Sequence, residues 1–176
     1  MDLPQRGLLE LTRKDRLPFL NNLLTNQTWD KATKSGLAAG QGVYAYFLNL
    51  KGRIVADMNV LEQGERTLIE TDARMVDTLQ KSFEKFIFAE QVKIKSLINQ
   101  FHRITIHGLE SPSILNDAAG KTLPLLVPLE SLQTEFFGIP LTLFRDDERW
   151  VPGHHLIVPI DRAAELWNNL LIQFGN

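Results

Sequence analysis

The apolar positions change period several times along the chain, and each change predicts an element. Gly7–Thr12 (GLLELT) reads as a short strand. Asp15 is placed to cap a following helix, with Pro18 tolerated in its first turn. Leu17, Leu20, Leu23 and Leu24 mark one face of that helix, and Asn26 is its expected stop. Thr33–Gly42 is small and Gly-rich and reads as a loop. Three strands are then expected, Val43–Leu50, Arg53–Glu62 and Arg66–Thr71. Lys51-Gly52 and Gln63-Gly64 separate them, with Gly where a tight hairpin needs positive φ.

A helix is predicted over residues 72–88, where Met75, Val76, Leu79, Phe83 and Phe86 recur at spacings of one, three and four. Asp72 lies at its positive N-terminal end. Two more strands follow, Val92–Ile98 and Phe101–His107. Ser111-Pro112 opens a short helix to about Asn116, and Ala119-Gly120-Lys121 is a turn. Phe137–Phe144 and Leu156–Pro159 read as strands. Asp161 opens a final helix with Ala164, Trp167, Leu171 and Phe174 on one side.

A constant offset of 88 residues links two strand–helix stretches: Leu68-Ile69 to Leu156-Ile157, and Phe86 to Phe174. A strand–helix unit used twice explains the echo; so does the shared period of any two such units. Either way, meanders with helices on one side predict α+β, with antiparallel sheets in ferredoxin-like halves. The expected organisation is one region over 1–176, built as two interlocked subdomains of about 1–42 plus 100–176, and 43–99.

Composition narrows the function. With 176 residues, 44% hydrophobic, 23% charged and a net charge of −2, the chain is neither disordered nor globally basic. A nucleic-acid binder is therefore not expected. Zero cysteines exclude disulfides, thiol nucleophiles and cysteine ligation of metal by this chain. Neither an apolar leader nor a membrane span is visible. A cytoplasmic protein with no membrane partner is the expectation.

Few motifs carry chemistry. His154-His155 are adjacent on a predicted strand, so their rings point to opposite faces and do not chelate one metal. No metal spacing, nucleophile elbow, phosphate loop or dinucleotide fingerprint is present. Trp150 and Trp167 read as packing residues, and Tyr44 and Tyr46 as strand formers able to face a pocket. The distinctive stretch is Asn49-Leu50-Lys51-Gly52-Arg53-Ile54-Val55-Ala56-Asp57. It sets two cations at a hairpin tip and an acid inside the next strand. In simple alternation Arg53, Val55 and Asp57 share a face. An acid in mid-strand needs a partner, water or a ligand. One reading pairs Asp57 with Arg53. The other has the carboxylate hold an amine or pterin nitrogen while Lys51 and Arg53 meet an anionic tail.

This hairpin resembles that of the YgfZ-type folate-binding proteins, relatives of the glycine cleavage system T protein, an aminomethyltransferase. The similarity runs in order along nearly the whole chain and corresponds to the N-terminal half of such proteins. Leu20–Asn26, Lys85–Ile94, Ile104–Ser111 and Gly153–Pro159 with the helix through Trp167 resemble the flanking family segments. The resemblance implies an α+β ring-like fold around tetrahydrofolate. It assigns Thr25, Asn26, Asn49, Lys51, Arg53 and Asp57 as cofactor-binding residues. Asp57 matches the acid that positions the accepting folate nitrogen in the aminomethyltransferase, and so is the candidate catalytic residue.

Two departures shape the functional expectation. The T protein has two successive acids where this chain has Ala56-Asp57. It also has a Gly-Tyr-Thr-Gly-Glu segment whose Glu reads the pterin, whereas this chain reads Arg149-Trp150-Val151-Pro152. YgfZ-type proteins further carry a Lys-Gly-Cys-x-x-Gly-Gln-Glu motif in a C-terminal half, which these 176 residues lack. A truncated chain, a short homologue and one subunit of a split assembly are the alternatives. A half-channel is expected to bind folate weakly and to favour self-association through an uncovered apolar face.

The leading expectation is a non-enzymatic, reduced-folate-binding module of the kind that supports iron–sulfur cluster assembly or repair. Its partners would be a C-terminal half domain or iron–sulfur enzymes. The alternatives are aminomethyl transfer in one-carbon metabolism, or a ligand-free structural or interaction subunit of a split assembly.

Overall fold

The computed structural model describes residues 6–147 and 151–175. These divide into two compact units meeting between residues 98 and 99.

The first unit opens with β1 (Arg6–Thr12) and α1 (Arg16–Leu23). A two-residue pair follows, β2 (Trp29–Asp30) with β3 (Ser35–Gly36), the second strand falling inside the stretch Thr33–Gly42 expected to be loop. The meander is β4 (Gly42–Leu48), β5 (Ile54–Glu62) and β6 (Arg66–Asp72). Gly52 and Gly64 take φ of 73° and 88° at its two turns, as the sequence required. A 3₁₀ turn over Ala73–Met75 leads into α2 (Val76–Glu84), and β7 (Lys93–Ser96) closes the unit.

The sheet order is β4-β5-β6-β1-β7, with antiparallel neighbours. Leaving out edge strand β4, β1-α1-β5-β6-α2-β7 is the ferredoxin-like arrangement that was expected. The partition expected from sequence differs, because β1 hydrogen-bonds along its whole length to β6. Residues 6–42 therefore group with the meander and not with residues 100–176.

Both helices pack on one face of this sheet. Phe19 and Leu20 of α1 and Val76, Leu79 and Phe83 of α2 join Leu9, Leu11, Met58, Val60 and Ile69 in the core. Phe83 meets Phe47 edge-on at 5.2 Å and Phe19 at 6.3 Å. Burying one such ring contributes about 1.5–3 kcal/mol. Helix α2 is shorter than its apolar period suggested. It stops at Glu84, and Phe86 lies beyond it, partly exposed. The side chain of Asp15 does not cap α1; its Oδ2 accepts from the Gln91 amide at 2.7 Å, tying the helix start to the segment before β7.

The second unit contains β8 (Phe101–His107), α3 (Ser111–Ala119), β9 (Ser131–Phe136), β10 (Ile139–Arg145), β11 (Gly153–Pro159) and α4 (Ile160–Phe174). Helix α3 runs three residues past its expected end, and Gly120 ends it in the left-handed region. Strand β9 was not foreseen. It pairs with β10 from Phe136↔Ile139 outward, around Phe137-Gly138. The core gathers Ile104, Leu115, Phe136, Leu141, Leu143, Leu156, Leu166 and Leu170. Helix α4 buries Ala163, Leu166 and Leu170. Trp167 and Phe174 pack at the margin of that stripe, while Ala164 and Leu171 are exposed, so its buried face is rotated from the expected one. Trp150 lies outside the described residues.

The second sheet has the order β8-β11-β10-β9. The two units thus repeat one plan: strand, helix, three-stranded meander, helix, with the last meander strand paired to the first strand. Strands β6 and β11 begin 87 residues apart (153 − 66). Period alone does not dictate a common strand order, so the echo in the sequence marks a common topology. Among the described residues no helix is long and apolar enough to cross a membrane.

Candidate functional site

Strand register decides which side chains share the sheet face opposite α1 and α2. Tyr46 lies across from Asp57, Tyr44 from Asn59, and Asn59 in turn from Glu70. Glu70 lies across from Leu8, two residues along from Arg6. These positions alternate with core positions Ala45, Met58 and Ile69. One face of the first unit therefore carries Tyr44, Tyr46, Asp57, Asn59, Glu70 and Arg6.

Asp57 meets Tyr44, whose hydroxyl donates to Oδ2 at 3.1 Å. It makes no ion pair with Arg53. The reason is a bulge: Phe47 pairs with Ala56, but Leu48 pairs with Ile54, so Val55 is extra. Val55 turns toward the helix-side core, and strand β5 begins only at Ile54. The simple alternation that put Arg53, Val55 and Asp57 on one face ends there.

The rings of Tyr44 and Tyr46 stand edge to face at 5.2 Å. Partial burial, then Tyr46 and Asp57, hold the Tyr44 hydroxyl above the ordinary tyrosine range, so it stays a donor at any working pH. Behind this pair, Arg6 forks onto the buried Glu70 carboxylate at 2.6 and 2.7 Å. Asn59 donates to the same carboxylate at 3.1 Å. Burial pulls the Arg6 pKa down, but Glu70, with Asp57 and Asp72 farther off, raises it overall. Arg6 thus adds a positive charge to the face that carries Asp57, without hydrogen bonding to it.

The remaining predicted residues fall into two groups. Thr25 and Asn26 follow α1 and seal the edge of β4. The Thr25 amide donates to Tyr46 O at 3.1 Å, and Thr25 Oγ1 accepts from the Tyr46 amide at 2.9 Å. Asn26 Nδ2 donates to Tyr44 O at 3.0 Å. Both residues therefore fix the strand that carries the tyrosines, close to Asp57. Asn49, Lys51 and Arg53 form the hairpin tip. Asn49 Oδ1 accepts the amides of Lys51 and Arg53 at 2.9 and 3.1 Å, which shapes the turn and leaves both cationic chains exposed. From Tyr46 to Asn49 the strand advances roughly 10 Å. The backbone of the tip is thus about that far along the hairpin from Asp57.

Sequence reasoning missed Tyr44 as the partner of Asp57, and it missed Arg6, Asn59 and Glu70 altogether. The signal was present for Glu70: like Asp57, it is an acid in mid-strand, here directly after the apolar Leu68-Ile69. A cavity of about 210 Å³ in the same unit, bounded by Gln27–Asp30, Ser35–Leu37 and Gln41, contains none of the predicted ligand residues.

In the second unit His154 and His155 do face opposite ways. His155 is fully buried, stacked on Phe144 at 4.8 Å, with Arg103 Nε donating to its Nδ1 at 2.8 Å. His154 turns toward α3 and meets Ser111 Oγ at 3.0 Å. Burial and then Arg103 push the His155 pKa down to about 3, so the ring is neutral.

No protein-family model matches the chain. Over 109 residues, 57% of this chain, the sequence is 29% identical to the mitochondrial iron–sulfur cluster assembly factor IBA57 homolog of Mycosarcoma maydis. That stretch makes up 27% of the longer protein. Among solved structures, the glycine cleavage system aminomethyltransferase T of Bartonella henselae superposes with a TM-score of 0.81 at 20% identity. The match covers 97% of this chain and 44% of that one. A chain of the heterotetrameric sarcosine oxidase of Corynebacterium sp. U-96, in complex with pyrrole 2-carboxylate, superposes at 0.65 and 16% identity. Here 99% of this chain and 84% of the other are covered. The chain spans less than half the length of the aminomethyltransferase, and the aligned stretch about a quarter of the assembly factor. It carries the fold of the glycine cleavage T protein, as the resemblance read from Asn49–Asp57 and its flanking segments implied.

Proposed function

We propose that this chain is a reduced-folate-binding module whose ligand meets the Tyr44–Asp57 face of the first unit. The observation that carries this reading is the environment of Asp57. A carboxylate stands inside a strand, half-buried, and the hydrogen bond it receives among the described residues comes from one neutral, partly exposed hydroxyl. An ionised carboxylate accepts more than one bond, and an amine or pterin N–H supplies the missing donor. Arg53, the cation that the sequence offered as a structural partner, is instead held at the tip beside Lys51. There the two cations suit the carboxylates of a folate tail.

Thr25 and Asn26 serve this site by fixing β4, and Asn49 by shaping the tip. Lys51, Arg53 and Asp57 are the residues assigned to contact the ligand. Aminomethyl transfer is the weaker reading. Position 56, where the T protein has a second acid, is an alanine in the helix-side core, where a charge would go unsolvated. The name of the IBA57 homolog refers that protein to iron–sulfur cluster assembly, and our proposal extends the same role to this chain.

Thermal unfolding with and without tetrahydrofolate tests the binding reading. A ligand that binds only the native state adds about 2.7 kcal/mol at one hundred times its Kd. The expected result is a dose-dependent rise in Tm, smaller in a Lys51→Ala/Arg53→Ala double variant. A Tm indifferent to every reduced folate would instead favour the structural-subunit reading.

A further inference from the structure

The second unit contains a small cavity of about 150 Å³ that none of the folate residues touches. Its walls are mostly apolar, supplied by Pro112 and Leu115 of α3, Leu143 of β10, and Leu123 and Leu126 of the segment that follows α3. Leu125, largely exposed, stands at its mouth. The polar exceptions are Asn116 and His154. Asn116 Oδ1 is already occupied by the Leu123 amide at 2.8 Å.

His154 is nearly buried, and its two ring nitrogens have different fates. Nδ1 lies 3.0 Å from Ser111 Oγ. The Ser111 hydroxyl has one proton, and Gly108 O, 2.7 Å away, is an acceptor only, so that proton goes to the carbonyl. Ser111 Oγ must then accept from His154, which fixes the Nδ1–H tautomer. Nε2 is left with a lone pair. Among the described residues it has no hydrogen-bond partner, and it is not a sealed atom: the fully enclosed, unpartnered side-chain oxygen is Thr134 Oγ1. Burial, followed by Arg145, keeps the ring neutral.

We propose that this cavity is a binding site for a compact apolar molecule of about one aromatic ring carrying a single O–H or N–H donor, which bonds His154 Nε2. Size and polarity select this class together. An apolar cavity of about 150 Å³ accommodates a benzene-sized body. A neutral histidine in the lining rewards a donor, and the nearby cation, Arg145, is already forked onto Asp147, which leaves nothing to attract an anion. The site is independent of the folate reading, since it lies in the other unit and uses no residue of it.

Phenol and toluene are the probes, used on the full chain with nitrogen-resolved NMR of the histidine side chains. The expected spectrum of the free protein shows His154 as the neutral Nδ1–H tautomer. Phenol is expected to shift the Nε2 resonance saturably. Toluene, of similar size without a donor, is expected to bind five- to tenfold more weakly, roughly the value of one neutral hydrogen bond. A Leu115→Phe variant fills the cavity and should abolish the phenol shift while preserving the tautomer. An Nε2–H tautomer, equal affinity for the two probes, or no saturable shift at His154 would each overturn the proposal.

Discussion

Tyr44 and Asp57 sit diagonally across β4 and β5, and the tyrosine hydroxyl donates to the carboxylate at 3.1 Å. One hydroxyl does not fill the accepting capacity of a carboxylate, and the proposed ligand donor would bond beside it.

Removing that hydroxyl separates the two roles. Tyr44→Phe keeps the ring edge to face with Tyr46 and deletes the donor. Because the pair is partly exposed, the stability loss should stay within about 1 kcal/mol. Folate affinity should hold, since the proposed ligand donor bonds the carboxylate beside the hydroxyl and not in its place. Chemical denaturation and a binding isotherm on the same variant check both; a tenfold fall in affinity would make Tyr44 a ligand contact instead.

Arg16 is the clearest single test of the fold. It joins α1 to the β5–β6 hairpin by donating to Thr67 Oγ1 at 3.1 Å, to Glu62 and to the Gly64 carbonyl. Glu62 is almost fully buried, and Thr67 also donates to it. Arg16→Ala strands a buried carboxylate, which costs about 3–5 kcal/mol. Arg16→Ala combined with Glu62→Gln should recover part of that loss in urea unfolding. If the single variant loses less than about 1 kcal/mol, the cluster is not holding the helix.

The neutral state of His155 predicts an acid limb of stability. Its folded pKa of about 3 lies below the ordinary histidine value, so the unfolded chain binds the extra proton first. Stability from this group is full above about pH 6.5 and falls as pH drops toward 3. The slope it adds is up to about 1.4 kcal/mol per pH unit. Urea midpoints between pH 7 and 5 should fall in the wild type and fall less in His155→Gln.

Gly153 begins β11 with no room for a side chain. A Cβ there would lie 2.3 Å from the Asp146 carbonyl oxygen and 3.0 Å from the His107 ring. Gly153→Ala should therefore destabilise by at least about 1–3 kcal/mol, the usual cost of overpacking. Gly138→Ala, where φ is 73° and nothing lies within 4 Å, isolates the cost of backbone conformation alone. A Gly153→Ala penalty no larger than that of Gly138→Ala would contradict the close packing.

Much of this architecture was legible before the structure. The hairpin glycines 52 and 64, the alternating apolar strands and the opposed histidines follow from local rules. What local rules did not reach were non-local pairings. β1 returns to β6 across more than fifty residues, so the partition of the chain was misread. β9 was hidden because Ser131–Phe136 alternates weakly and its partner lies only two residues beyond. At the site, one bulged residue, Val55, was enough to separate Arg53 from Asp57. The acid was legible; its partner was not, because a bulge is set by strand pairing and leaves no mark in composition.

The central claim is that Asp57 receives the folate. Calorimetric titration of wild type and Asp57→Asn with tetrahydrofolate tests it most directly. The account predicts saturable binding by the wild type and at least a tenfold weaker Kd for Asp57→Asn, the loss of about one charge-assisted hydrogen bond. Equal affinity in the two proteins, or no binding by the wild type, would contradict it.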